Sequence, residues 1–283
     1  MARHLFGFPK RVIGPQHPDL EAVIRESVIG PGAPAQPLIG PDSKVASFGS
    51  CFAGEIAAAL TKNGQRVANS YIAERYNSAF MMDAFLASIL DGESTDAVDT
   101  LFTKPDLADV SLFILTFGMS LCWFNANGSL VVEPGKSHAE EGLISAMRRY
   151  TMRQTSVEQN EAAIRSCIAR ISKHFPQAHI VVTLSPIPML AAVGHNSIMV
   201  ANTLSKSTLR IAIDRALTGQ PENVHYWPSY ELVNWYGGHV ESAFGSETVD
   251  SRHLKPEVID IIIRLFLDYY VAKPAAAAAA ATS

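Results

Sequence analysis

Residues 45–56, VASFGSCFAGEI, place a serine and a cysteine side by side in a glycine-rich stretch. An apolar run ends at this point and a helical pattern begins, so both side chains would stand at the start of a helix. The backbone N–H groups at a helix start lack intrahelical partners and carry the positive end of the dipole, which stabilises a thiolate or an oxyanion. Ser50 and Cys51 are therefore the first candidates for a nucleophile.

A nucleophile needs a base, and one of the nine histidines stands in a suitable context. Asp250 precedes His253 by three residues in VDSRHLKPEV, just before the last predicted helix. A carboxylate at this spacing can accept from the imidazole and leave its other nitrogen to take a proton. The spacing favours a base and its orienting carboxylate. A solvent-facing His253 and an Asp250 that caps the helix are the alternatives.

Strand and helix patterns alternate along the chain from residue 44, which predicts a mainly parallel sheet covered on both faces. The fold class expected is therefore α/β, a three-layer α/β/α sandwich of the SGNH or flavodoxin type. The predicted strands are KVASF, VSLFILTFG, HIVVTLS and VHYWPS, with a small hairpin in CWFNANGSLVV. The predicted helices are FAGEIAAALTKNG, SAFMMDAFLASILDG, SVEQNEAAIRSCIARISKHF, SKSTLRIAIDRAL and PEVIDIIIRLFLDYYV.

Three segments divide the chain. Residues 1–43 are rich in proline and glycine and are predicted to form an arm packed on the domain. Residues 44–272 are predicted to form one domain. Residues 273–283 are rich in alanine without polar and apolar faces, so we expect a disordered tail.

Composition excludes several classes of function. The formal charge of −4 does not favour nucleic acid or an anionic membrane as a partner. No apolar run is long enough for a membrane span or a secretory leader, so we expect a cytoplasmic enzyme. The three cysteines lack disulfide or CxxC spacing, and no histidine has the partner spacing of a metal site. No nucleotide-binding glycine pattern follows a strand, so we expect neither a metal nor a cofactor.

Ligands of open parallel sheets bind outside the carboxyl ends of the strands. The loops there contain GSC, GMS, SPIP and PSYE, which include Cys51, Ser120 and Ser185. Ser185 either shapes a rigid turn with its two neighbouring prolines or lines the substrate pocket.

The segment FGSCFAGEIAAAL resembles the defining motif of the GSCFA-domain proteins, a bacterial group related to the SGNH (GDSL-like) hydrolases. Later segments are similar to later blocks of that group in the same order, so that the resemblance covers residues 44–270. These segments are LFILTFGMSLCW, HIVVTLSPIPM, SKSTLR, WPSYE and DSRH. The resemblance implies an SGNH-like fold with a nucleophile after the first strand, oxyanion donors in the next loops and an Asp-x-x-His pair near the C-terminus.

Aligned with the Gly-Asp-Ser-Leu pattern of those hydrolases, Cys51 takes the position of the nucleophilic serine and Ser50 that of the aspartate. The Gly-x-Asn block reads Gly118-Met119-Ser120, which puts a hydroxyl in place of an amide donor. Asn77, which opens a helix, stands in for the missing glycine N–H donor.

These assignments predict an acyl-transfer enzyme, an esterase, deacylase or O-acyltransferase, with a carbohydrate as the narrower candidate substrate. Cys51 would form a thioester, His253 would act as the base and Asp250 would orient it. The expected partner is a small-molecule or glycan ester, and the oligomeric state stays open. Two alternatives remain, Ser50 as the nucleophile and a non-catalytic SGNH-like module that binds a glycan or an acyl group.

Overall fold

A five-stranded parallel sheet forms the centre of the protein. The computed structural model describes residues 20–68, 77–93, 106–131, 147–239, 242–245 and 251–273. The strands of this sheet are β1 (Lys44–Gly49), β2 (Arg66–Ala68), β3 (Val110–Phe117), β7 (His179–Leu184) and β8 (Val224–Trp227). Their order is β2-β1-β3-β7-β8, and each neighbouring pair is parallel.

This strand order reverses direction between β1 and β3. When only the five strands of this sheet are numbered in chain order, the order becomes 2-1-3-4-5. This is the order of flavodoxin-like folds, in which ligands bind where the order reverses. The predicted α/β class is confirmed. The short edge strand β2 was not predicted, because three residues are too few to show a period.

Helices cover both faces of the sheet and make the outer two layers. The helices are α1 (Leu20–Ile24), α2 (Cys51–Lys62), α3 (Ala79–Leu86), α4 (Val157–His174), α5 (Ile198–Leu217), α6 (Ser229–His239) and α7 (Pro256–Tyr270). Helices α3, α4 and α5 pack on one face, and α1, α2, α6 and α7 pack on the other. Alternate residues of β1 enter opposite cores, because successive side chains of a strand point to opposite faces.

Local signals in the sequence determine where several helices begin and end. Ser156 and Gln159 form the predicted capping box of α4, with both reciprocal hydrogen bonds made. Gly92 takes a left-handed conformation after the π-helical turn that extends α3. The position of Pro256 in the first turn of α7 is also confirmed. Helix α6 was not predicted, and α5 begins at Ile198, seven residues before the predicted segment.

A smaller antiparallel sheet lies beside the main one. Its strands are β4 (Leu121–Phe124), β5 (Leu130–Val131) and β6 (Thr151–Gln154), in the order β5-β4-β6. The predicted hairpin joins β4 to β5, and its turn contains Gly128 at φ 85°. The third strand, β6, was not predicted.

The described part of the N-terminal segment packs against the sheet core. Ile24 and Ile29 are each 1% exposed, and Ile39 forms a parallel bridge with Val271 just after α7. Residues 1–19 and 274–283 lie outside the described residues. The disordered tail predicted for residues 273–283 therefore falls almost entirely outside them. Among the described helices, none is long and apolar enough to cross a membrane.

Candidate active site

The turn after β1 is built around a close approach of two backbones. Gly49 has φ 135°, and a Cβ on it would lie 2.0 Å from the carbonyl oxygen of Thr116 on β3. The N–H of Ser50 donates to the same oxygen at 3.1 Å. Ser50 then has extended backbone as the N-cap of α2, and Cys51 is the first residue of that helix. The turn thus places both side chains at the carboxyl edge, where the strand order reverses.

The two adjacent side chains differ in exposure. Ser50 is 4% exposed, and among the described residues its hydroxyl has no hydrogen-bond partner. Cys51 is partly exposed, whereas Cys122 and Cys167 are buried. Burial raises the pKa of the Cys122 thiol to about 11 and that of Cys167 well above its usual value. Of the three cysteines, Cys51 is therefore the one that a substrate could reach.

Asn77, the predicted substitute for the missing glycine N–H donor, lies beside this turn. A Cβ on Gly118 would lie 3.1 Å from the Asn77 Oδ1 and 3.2 Å from the Ser50 Cβ, so the glycine allows the two side chains to approach. The backbone N–H groups of Gly118 and Met119 donate to the Asn77 carbonyl at 2.7 and 3.1 Å. The Gly118 N–H is therefore engaged by Asn77 and does not serve as an oxyanion donor in this conformation.

The structure does not support the predicted role of Ser120 as an oxyanion donor. Ser120 is fully buried, and its N–H donates to the hydroxyl of Ser205 at 2.8 Å. Its own hydroxyl donates to the Ser205 carbonyl at 3.3 Å and accepts from Gln154. Because the hydroxyl is used to join β4, β6 and α5, Ser120 stabilises the loop after β3 instead.

Ser185 takes the first of the two roles left open for it, that of shaping a turn. It is 1% exposed, and its N–H donates to the Phe117 carbonyl at 2.8 Å. Its hydroxyl accepts from the N–H of Ile187 at 3.3 Å. Both polar groups hold the proline-rich turn after β7, which leaves little of the side chain for a ligand.

The segment that carries His253 contacts the loop after β7 through Arg252, the residue that precedes His253. The carbonyl of His253 accepts from the Gly245 N–H at 3.0 Å, and Arg252 donates from Nη1 to the Pro188 carbonyl at 3.3 Å. His253 is partly exposed. Asp250 lies outside the described residues, so its pairing with His253 stays a prediction.

Two charged residues that the sequence analysis did not single out belong to this site. Lys206 on α5 is 1% exposed, and Cys51 and Arg252 both perturb its pKa electrostatically. Glu55 follows Cys51 by one helical turn on α2, so the two lie on the same face of the helix. Burial raises the pKa of Glu55 to about 7, and the Arg252 charge lowers it in part.

Signals for both residues exist in the sequence. The spacing of four from Cys51 to Glu55 places a carboxyl group beside any nucleophile at the helix start. Lys206 lies three residues before Leu209 and seven before Ile213, and both of these residues are fully buried. A lysine on the buried stripe of an amphipathic helix indicates a charge that needs partners in the interior.

The buried carboxyl of Glu55 makes stability depend on pH. Its folded pKa of about 7 exceeds the usual 4.5, so its contribution to the free energy of unfolding is complete below pH 4.5 and lost as pH rises through 7. We expect Glu55→Gln to remove up to about 3 kcal/mol of this pH dependence. Urea unfolding at acidic and neutral pH measures it, with the exposed Glu222→Gln as the control. Parallel pH profiles for wild type and Glu55→Gln would contradict the expectation.

Within the described ranges, no group of three or more histidine, cysteine, aspartate or glutamate side chains could hold a metal ion. What the arrangement offers is instead a reachable thiol at a helix start, two nearby cations and a buried carboxyl group. A reachable thiol with nearby charged groups is the kind of arrangement that nucleophilic catalysis uses.

Comparisons with known proteins give one family. The model of the GSCFA family matches residues 97–266, more than half of the chain. The matched range begins after the turn of Gly49 and Cys51. No curated protein matches the chain.

Several solved structures are similar to it at low identity. A carbohydrate esterase family 2 enzyme with a carbohydrate-binding domain, from Corynascus thermopiles (Myceliophthora fergusii), is 12% identical, with 88% of this chain and 69% of that chain covered and a TM-score of 0.45. A candidate GDSL-like lipase from Parabacteroides merdae is 10% identical, with 83% and 98% covered and a TM-score of 0.48. A family two carbohydrate esterase from Clostridium thermocellum is 11% identical, with 83% and 65% covered and a TM-score of 0.42. At these TM-scores, none of the likenesses bears on the activity of this chain.

Proposed function

The chain belongs to the GSCFA family, and we propose that it is an acyl-transfer enzyme that works through a thioester on Cys51. The substrate class is an ester, cleaved by an esterase or deacylase or passed on by an O-acyltransferase, with an acylated carbohydrate as the narrower candidate. The observation that carries the proposal is the position of Cys51. It is a partly exposed thiol on the first residue of α2, where the order of the parallel strands reverses.

The electrostatics of this position suit a nucleophile. The positive end of the α2 dipole and Lys206, which interacts electrostatically with Cys51, favour the thiolate over the thiol. Cys122 and Cys167 are excluded by burial, which raises their pKa values. Ser50 is the weaker candidate because it is almost fully buried.

The proposed reaction has two steps. His253, oriented by Asp250, takes the proton of the Cys51 thiol, and the thiolate attacks the ester carbonyl to form a tetrahedral oxyanion. The carbon–oxygen bond to the alcohol then breaks, the alcohol oxygen takes the proton from His253, and a thioester remains. Water or an acceptor hydroxyl, deprotonated by His253, attacks the thioester and releases the Cys51 thiolate.

In place of Gly118 and Ser120, we assign two other groups as donors to the oxyanion. They are the backbone N–H of Cys51, at the start of α2, and the side-chain amide of Asn77, which lies beside Ser50. One such donor typically contributes about 10²–10³ in rate. The substitution Asn77→Ala would remove one of these two oxyanion donors and leave the nucleophile in place.

The test measures acetate release from 4-nitrophenyl acetate and from a peracetylated glucoside. We expect wild type to hydrolyse at least the activated ester, and His253→Ala to lose about 10²–10⁴ in kcat because general-base assistance is gone. His174→Ala is the matched control, since His174 pairs with Asp91 at the end of α4, before β7, and so lies at the opposite edge of the sheet. No acetate release by wild type, with binding of the glucoside retained, would favour the non-catalytic binding module. Equal losses in both histidine variants would argue against His253 as the base.

A further inference from the structure

We propose that Lys206 is the positioning residue of this site, which holds the loops after β3 and β7 together and stabilises the Cys51 thiolate. The inference rests on the proposed function in taking Cys51 as the nucleophile. It assigns a role to a buried cation that the sequence analysis did not single out.

The geometry of Lys206 is that of a cation enclosed by backbone. Its Nζ donates to the carbonyl oxygens of Gly118 at 2.8 Å, Ser185 at 2.7 Å and Ile187 at 2.9 Å. An ammonium group has three N–H donors, so these three acceptors satisfy it completely. One of the carbonyls belongs to the loop after β3 and two to the loop after β7. One side chain from α5 therefore fixes the relative position of two loops that border the site.

A buried ammonium needs more than carbonyl partners, because its charge is removed from water. The charged or titratable groups that act on Lys206 are Cys51 on α2 and Arg252 before α7. The pKa of Lys206 is lowered to about 7, mainly by burial; Cys51 opposes this shift by raising the pKa, and the Arg252 charge adds to the lowering. Cys51 is thus the group that favours the charged form of Lys206.

The same interaction acts in the other direction, because coupling between two titrating groups is reciprocal. If the Cys51 thiolate stabilises the Lys206 ammonium, the ammonium stabilises the thiolate by an equal free energy. Glu55, on the same face of α2 as Cys51, opposes the thiolate when it is ionised. Its pKa is raised to about 7, so near neutral pH Glu55 is only partly ionised and its opposition to the thiolate is partial. Among the described residues, His253, which follows Arg252 directly, is a further titratable group of the site.

The first measurement is the pH dependence of Cys51 alkylation by iodoacetamide, followed on the Cys51 peptide by mass spectrometry. We expect Lys206→Met to move the midpoint of alkylation up by about one pH unit, equivalent to about tenfold slower labelling at neutral pH. The control is Lys62→Met, which removes an exposed lysine at the end of α2. Identical profiles in wild type, Lys206→Met and Lys62→Met would overturn the proposal.

Lys206→Met leaves three buried carbonyls without a donor and can prevent folding, so a second measurement uses a conservative change at the other partner. NMR of protein labelled at lysine Cε follows the titration of Lys206, whose low pKa distinguishes it from exposed lysines. We expect Cys51→Ala to lower the Lys206 midpoint, because the group that raises it is gone, and Ser50→Ala to leave it unchanged. An unchanged midpoint in Cys51→Ala would overturn the coupling.

Both measurements report ionisation and not turnover, so they can still be interpreted if the ester assay fails. An enzyme that hydrolyses the ester but lacks the coupling would refute the role of Lys206 and leave the proposed function in place.

Discussion

Replacement of Cys51 by alanine is expected to lower kcat/KM for 4-nitrophenyl acetate by about 10³-fold or more, because the atom that forms the thioester is removed. The residue occupies the first position of α2 and is partly exposed, so alanine there should leave the fold intact. The activity that remains would come from the oxyanion donors and from binding. Initial rates at several ester concentrations measure the change, and the melting temperature of each protein checks its folding.

Ser50→Ala is the matched control for this substitution. The Ser50 hydroxyl is buried and has no partner among the described residues, so its removal is expected to cost little stability. Activity should stay near the wild-type value if Cys51 is the nucleophile. The reverse pattern, with activity lost in Ser50→Ala and retained in Cys51→Ala, would assign the reaction to Ser50.

Gly49→Ala is expected to destabilise the protein by about 3 kcal/mol or more, the range reached when a substitution creates strain in the interior. Two causes combine. A residue with a side chain is strained at φ 135°, and the new Cβ would lie 2.0 Å from the Thr116 carbonyl oxygen. That oxygen belongs to backbone in a central strand, which cannot move away without breaking the pairing of β1 with β3.

Gly64→Ala separates the two causes. Gly64 also has a positive φ, 84°, but a Cβ there would meet nothing within 4 Å. We therefore expect a loss of only about 1 kcal/mol, from backbone conformation alone. Urea unfolding of both variants gives the comparison. Equal losses would mean that the close approach of β1 to β3 is not what requires glycine at position 49.

Much of the fold could be predicted from local patterns. The apolar run of β3, the capping box at Ser156 and the stop signal at Gly92 each depend on neighbours in sequence, and each is confirmed. The elements that were missed are short or lack a period. Strand β6 pairs with β4 through residues that are mostly exposed, so no apolar alternation marks it.

The site was predictable only where its chemistry is local. Cys51 could be singled out because strand, turn and helix start follow one another within a few residues. The role of Ser120 could not be read correctly, because its partner Ser205 is 85 residues away in sequence. The position of Lys206 on a buried helix stripe is a local signal, but its role is not, since its three acceptors lie on loops that only the folded sheet brings together.

The central claim, that Cys51 carries the acyl group, is tested most directly by intact-protein mass spectrometry. Wild type, Cys51→Ala and Ser50→Ala are each incubated with 4-nitrophenyl acetate and quenched in acid, and the modified residue is located by peptide fragmentation. The account predicts one acetyl group on Cys51 in wild type and Ser50→Ala, and none in Cys51→Ala. An acetyl group that persists in Cys51→Ala and disappears in Ser50→Ala, or no adduct in any of the three proteins, would contradict it.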